Sequence, residues 1–167
     1  IVYARDILTQ RPGTTFISEV KASQCLYDDI ASKGGRPIMW KTGHSLMKAK
    51  LKAESAVLAG EMSGHMFFAD RYFGFDDAIY ASCRLVEILA KTKRSLSSLV
   101  ADLPQTTVTP ESRVDCPDTL KFQLVDQVRT QLAAYLDDGK PVGASNLRMR
   151  ELVTIDGVRA IFEDGWG

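Results

Sequence analysis

Over the first hundred residues, short apolar runs rich in β-branched and aromatic side chains alternate with stretches whose apolar positions recur at helical spacing. That alternation predicts an α/β unit. Residues 14–20 (TTFISEV) and Arg36–Trp40 (RPIMW) read as strands, each followed by a helix candidate. A further pair of strands, residues 56–59 and Met66–Phe68, flanks a glycine-bracketed loop, Gly60-Glu61-Met62-Ser63-Gly64-His65. The clearest helix starts at Asp76 or Asp77, either of which suits an N-cap, and carries Ile79, Cys83, Val86 and Leu89 or Ala90 on one face. A short helix follows from Ser95, and Pro104 stops it.

The rhythm then changes. Residues 104–117 (PQTTVTPESRVDCP) hold three prolines and four Ser/Thr with little apolar periodicity, which marks a linker. Beyond it, residues 118–136 predict a helix with Leu124, Val128, Leu132 and Tyr135 or Leu136 on one face. Residues 150–155 and 158–162 flank Asp156-Gly157, a strong hairpin signal. The expected organisation is a mixed-sheet α/β domain over residues 1–104, a linker over 105–117, and a truncated α+β domain over 118–167.

Composition narrows the class. An apolar content of 45% in 167 residues is enough to bury a core. No apolar run approaches the length needed to span a bilayer, and no charged start followed by an apolar segment opens the chain. The net charge is zero, divided as 14 basic against 11 acidic residues up to 104 and 7 against 10 beyond. No Lys/Arg-rich run interleaves with aromatics, so neither nucleic acid nor membrane is an expected partner. Cys25, Cys83 and Cys116 are odd in number and far apart, which fits reduced cytoplasmic thiols acting as small core residues. The chain opens Ile1-Val2-Tyr3 and closes directly after a predicted strand, so it reads as a piece of something longer.

Polar groups recur in one structural place, just after a strand: Lys21 after Val20, Lys41-Thr42-Gly43-His44-Ser45 after Trp40, and Glu61 to His65 after the third strand. In open α/β sheets, ligands bind in the crevice beyond the carboxyl ends of the strands. Lys21 and Lys41 supply positive charge, and the helix start after Gly43 offers N–H groups to an anion. Glu61 offers acceptors to hydroxyls, while Ser63, His44 and His65 can donate or accept. The set suits a ligand with several hydroxyls and a phosphate. Blander readings exist: a lysine after a strand is usually solvated, a lone histidine is more often packed or capping, and Gly60 and Gly64 can simply mark a tight turn. A metal pair at Glu61 and His65 lacks the HExxH spacing and a third ligand nearby.

These residues resemble a known family, the α-D-phosphohexomutases, in their bacterial phosphomannomutase/phosphoglucomutase branch. Gly60 to His65 is similar to that branch's sugar-recognition loop. Lys41-Thr42-Gly43-His44-Ser45, Phe73-Gly74-Phe75-Asp76-Asp77 and Phe162-Glu163-Asp164-Gly165-Trp166-Gly167 match in order and spacing, so the resemblance spans essentially the whole chain. A phosphoglucosamine mutase would more often carry Gln where Met62 stands.

The resemblance implies a four-domain enzyme of which this chain is the third domain and most of the fourth. Such an enzyme interconverts hexose 1- and 6-phosphates through a phosphoserine and a glucose 1,6-bisphosphate intermediate, with Mg2+. The phosphoserine, the magnesium loop and the phosphate-gripping loop have no counterpart here, so no catalytic residue is expected in this piece. Missing N-terminal domains of the same chain and glucose or mannose phosphates are the implied partners, in the cytoplasm. By the same resemblance Glu61 and Ser63 read the 3- and 4-hydroxyls, and Lys21, Thr42, Gly43, His44 and His65 line the substrate site. Two other readings compete: a stand-alone carbohydrate-phosphate binding module, and a metal-dependent hydrolase using His44, Glu61 and His65.

Overall fold

The computed structural model describes residues 1–143 and 145–167. They divide into two compact units, Ile1–Gln105 and Thr106–Gly167.

In the first unit, β1 (Thr15–Glu19), β2 (Arg36–Trp40), β3 (Leu58–Gly60) and β4 (Met66–Phe68) form one sheet in the order β2-β1-β3-β4. β1 runs parallel to β2 and β3, while β4 returns antiparallel beside β3. This is the mixed sheet the pattern predicts. Because successive strand residues point to opposite faces, Phe16, Leu58 and Phe68 enter one core and Ile17, Ala59 and Phe67 the other. The first core is closed by α1 (Val2–Gln10), α2 (Gln24–Ser32) and α4 (Ala78–Thr92), through Ile7, Ile30 and Ala81. The second is closed by α3 (His44–Ala53), through Met47 and Leu51. The result is an α/β/α sandwich. A short α5 (Leu96–Leu99), capped by Ser95, follows α4.

Helix α1 has no counterpart in the pattern reading. Its stripe is only Tyr3, Ala4, Ile7 and Leu8, little more than two turns, and its stability comes from packing rather than propensity. Helix α4 begins as expected, with Asp77 accepting from the Tyr80 N–H, but presents a different face. Ile79, Cys83 and Val86 are exposed, whereas Ala81, Arg84 and Ile88 are buried. Arg84 explains the reversal. Its guanidinium bonds the Asp70 carboxylate at 2.9 Å and the Asp70 carbonyl at 3.0 Å and lies over the Phe68 ring, so a charge occupies a core position that apolar periodicity assigns to a hydrophobe. The expectation of core cysteines also fails, since Cys83 is exposed and Cys25 and Cys116 are only partly covered.

No helix or strand occurs over residues 104–117. The second unit holds α6 (Lys121–Asp138), β5 (Met149–Val153) and β6 (Arg159–Phe162), with α6 packed on β5. Leu124 and Val128, expected on the covered face of α6, are exposed; only the stretch near Leu132, Tyr135 and Leu136 is partly covered. β5 and β6 pair antiparallel, with Val153 opposite Arg159. The connection is therefore five residues rather than the two of Asp156-Gly157, with Gly157 at φ 70° taking the left-handed turn position.

Candidate functional site

Parallel pairing of β1, β2 and β3 puts their carboxyl ends, and the three polar loops that follow them, at one edge of the sheet. The loop after β3 is the β3–β4 connection. Both its glycines have geometric reasons: a Cβ on Gly60 would meet the Met66 sulfur at 3.0 Å, and Gly64 sits at φ 94°. The turn is closed by the Glu61 N–H donating to the His65 carbonyl and the Gly64 N–H donating to the Glu61 carbonyl, each at 3.0 Å. The Ser18 hydroxyl donates to the Gly60 carbonyl across the sheet, fixing where the loop departs.

Glu61 is buried. Its Oε1 accepts the Gly43 N–H at 2.9 Å and its Oε2 accepts the Ser63 hydroxyl at 3.3 Å. Each carboxylate oxygen has two lone pairs, so both retain acceptor capacity. Gly43, at φ 122°, is the N-cap of α3, and no side chain caps that helix start. His44, its first residue, is exposed. Thr42 donates its hydroxyl to Glu19 Oε2 at 2.7 Å, and the exposed Lys21 ammonium lies 3.6 Å from the same oxygen. Ser63 and Met62 are exposed on the loop.

His65 is held differently. Its Nδ1 is 2.6 Å from Asp76 Oδ2, and Asp76 Oδ1 accepts the Met66 N–H at 3.3 Å. Asp76 therefore orients the imidazole while its neighbour Asp77 caps α4, and the Nε2 edge is the one left to face a ligand. The Tyr72 hydroxyl donates to Asp77 and, with the Tyr80 N–H, holds that carboxyl below its usual range.

Structure thus joins Lys21, Thr42, Gly43, Glu61 and Ser63 in one bonded network, with His65 on the same loop paired to Asp76. Two members escaped sequence reasoning. Glu19 is an ionisable residue inside a strand whose five positions are all buried, and such a charge demands partners; that was its signal. Asp76 was visible as an alternative helix cap and within the stretch 73–77, with no partner assigned to it. A cleft of about 270 Å³ lies beside the loop, but its walls, including Tyr3, Leu26, Tyr27 and Pro37, are mostly apolar and do not suit a phosphate. Among the described residues, no group of three or more His, Cys, Asp or Glu side chains could hold a metal ion. One carboxylate, Glu61, beside a histidine already paired to Asp76 does not supply the set of oxygen ligands that Mg2+ takes.

These features define an α/β/α domain with a polar crevice beyond the carboxyl ends of its parallel strands, the place where open α/β sheets bind ligands. Comparison gives the lineage. Residues 1–107 match the family model described as phosphoglucomutase/phosphomannomutase, alpha/beta/alpha domain III. The chain is 42% identical over 167 residues to a phosphomannomutase/phosphoglucomutase of Pseudomonas putida, covering 100% of this chain and 33% of that protein. It is 41% identical to a phosphoglucomutase of Neisseria gonorrhoeae, covering 100% of this chain and 34% of that protein. A solved phosphoglucomutase/phosphomannomutase family protein from Burkholderia thailandensis superposes with a TM-score of 0.78 at 42% identity, over 99% of this chain and 32% of its own. The chain belongs to the phosphoglucomutase/phosphomannomutase family, and it spans about a third of the length of the relatives it matches.

Proposed function

We propose that this chain is the sugar-reading portion of a hexose-phosphate mutase that interconverts hexose 1-phosphate and hexose 6-phosphate. In the complete reaction a phosphoserine elsewhere in the protein gives its phosphoryl group to O6 of hexose 1-phosphate. The 1,6-bisphosphate turns over, and the O1 phosphoryl group returns to the serine, leaving hexose 6-phosphate. Magnesium, the serine and a cytoplasmic setting belong to that whole-protein reading.

What this chain's residues do is grip. Glu61 and Ser63 take the 3- and 4-hydroxyls in either orientation of the bisphosphate, since a carboxylate accepts from several directions. Lys21, Thr42, the Gly43–His44 helix start and His65 line the same crevice and face sugar or phosphate oxygens. A site that leaves the 2-hydroxyl unread accepts glucose and mannose phosphates alike. Positioning of this kind is a large part of what phosphoryl transfer needs.

The observation that carries the reading is the Glu61 carboxylate held by the Gly43 N–H, joining the two polar loops at the sheet edge in a chain of this family. The mutase reading is favoured over a stand-alone binding module by the match of the chain to a third of each mutase relative. A hydrolase reading would need Glu61 and His65 to converge on a metal, whereas their partners are Gly43 and Asp76. The test is an NMR titration of the chain with glucose 1-phosphate, without added metal, beside Glu61→Ala. Saturable shifts at Lys21, His44 and residues 60–65, absent in the variant, are expected; no shifts from the folded wild type overturn the reading for this chain. In the full-length enzyme Glu61→Ala is expected to lower kcat/KM by at least about tenfold.

A further inference from the structure

Glu19 stands at the carboxyl end of β1 with 1% of its surface exposed, so no ligand can touch it. Its side chain is nevertheless fully engaged. Oε1 accepts the Met62 N–H at 2.5 Å and Oε2 accepts the Thr42 hydroxyl at 2.7 Å. These donors come from two different loops, the one after β2 and the one after β3. The residue's own backbone is fixed as well, because its carbonyl accepts the Ala22 N–H at 2.9 Å and the Tyr27 hydroxyl at 2.7 Å. The Lys21 ammonium, 3.6 Å from Oε2, offsets its charge.

The second carboxylate, Glu61, makes the reciprocal stitch: it belongs to the loop after β3 and takes the Gly43 N–H of the loop after β2. Two loops are thereby sewn together through two carboxylates, one buried beneath the site and one at its floor. A buried carboxylate is costly unless its oxygens are satisfied, and here the satisfying donors are the polar loops themselves. We infer that Glu19 is a positioning residue that locks the Thr42–Gly43 loop to the Glu61–Met62 loop so that both meet a sugar phosphate as one preformed unit. Its functional half rests on the sugar-phosphate reading above.

The chain itself, labelled with 15N, supplies the test through Glu19→Ala, Glu19→Gln and Thr42→Val. Gln can keep the geometry, its carbonyl accepting from Met62 and its amide donating to the Thr42 hydroxyl. In the absence of ligand, Glu19→Ala is expected to speed amide exchange at Met62 by about tenfold or more and to shift amides in both loops, while Glu19→Gln restores them. With glucose 1-phosphate as the probe, Glu19→Ala should raise Kd about tenfold, and Glu19→Gln should stay within about threefold of the wild type. Thr42→Val cuts one stitch only, so its shifts should cross to Glu61 and Met62. It decides the matter if Glu19→Ala fails to fold, because a change confined to residues 40–44 would overturn the inference. A merely structural role would lower the thermal midpoint of Glu19→Ala yet leave the affinity of its folded form unchanged, which also overturns it, as does Glu19→Gln proving as damaging as Glu19→Ala. If the wild type binds no glucose 1-phosphate, the sugar-phosphate reading fails, while the exchange measurements still decide whether Glu19 locks the loops.

Discussion

Residues 1–105 and 106–167 are secured differently. In the first unit a four-stranded sheet is covered on both faces, and Phe67, Phe68, Ile7 and Met47 are almost wholly shielded from water. In the second, the buried residues among those described are Met149, Arg159 and Ala160, while Phe122, Leu124, Val125 and Val128 on α6 are exposed. A hairpin with one helix against it is near the lower limit of independent stability. The lesson is that apolar residues stabilise only when a second layer covers them. The candidate site rests on the unit that has both layers.

Four measurements test that contrast. The largest effect is expected from Phe67→Ala, which empties a fully buried position between β4 and α3 and should cost about 3 to 5 kcal/mol in denaturant unfolding of the first unit. Hydrogen exchange in α6 should be unaffected by that change, and accelerated exchange there would mean the two units unfold together.

Acid comes next. Arg5 hydrogen-bonds Asp29 and Asp102 and holds both carboxyls below their usual range, and Arg71, then Lys91, draw Glu87 down to about 2. A carboxyl whose value is depressed in the fold contributes fully above its unfolded value and loses that contribution as pH falls toward the folded one. The first unit should therefore weaken between about pH 5 and 2. In the second unit Asp138 raises Lys140, but both side chains are exposed, and an exposed pair adds little to stability at any pH. Thermal melts followed at Trp40 and Trp166 separately check this; equal acid sensitivity would refute it.

A smaller change is expected from Tyr72→Phe, which removes the hydroxyl bonded to the Asp77 helix cap and should lower the thermal midpoint of the first unit by less than Phe67→Ala does. Smallest is Leu124→Ala on the uncovered part of α6, which should fall within about 0.5 kcal/mol of the parent. A loss of several times that would show Leu124 to be covered in solution.

Sequence pattern recovered what depends on local chemistry. Arg36–Trp40 and Met66–Phe68 are strands with the predicted bounds, the helix cap falls at Asp77, and the three polar loops follow three strands of one sheet. Pattern failed where a long-range partner changes a residue's meaning. Arg84 is inside α4 because Asp70 waits there, fourteen positions earlier, and Ile79, Cys83 and Val86 are left outside in consequence. Glu19 looks like an ordinary polar strand end until Thr42 and Met62 are folded against it. Asp76 looks like a cap until His65 arrives across the hairpin. The polar loops at the sheet edge were legible; the side chains that hold them were not, because their partners are distant in sequence.

The Glu61–Ser63 loop is also the turn of a ladder in which Leu58 faces Phe68 and Gly60 faces Met66. Both its ends are nailed to core positions, and slipping either strand by one residue would turn Phe67 and Phe68 to the wrong faces. Lineages of this fold therefore have little freedom to retune the loop by lengthening or shortening it. Divergence at this sheet edge is channelled into point replacement at the outward residues, among them Met62, whose side chain is exposed.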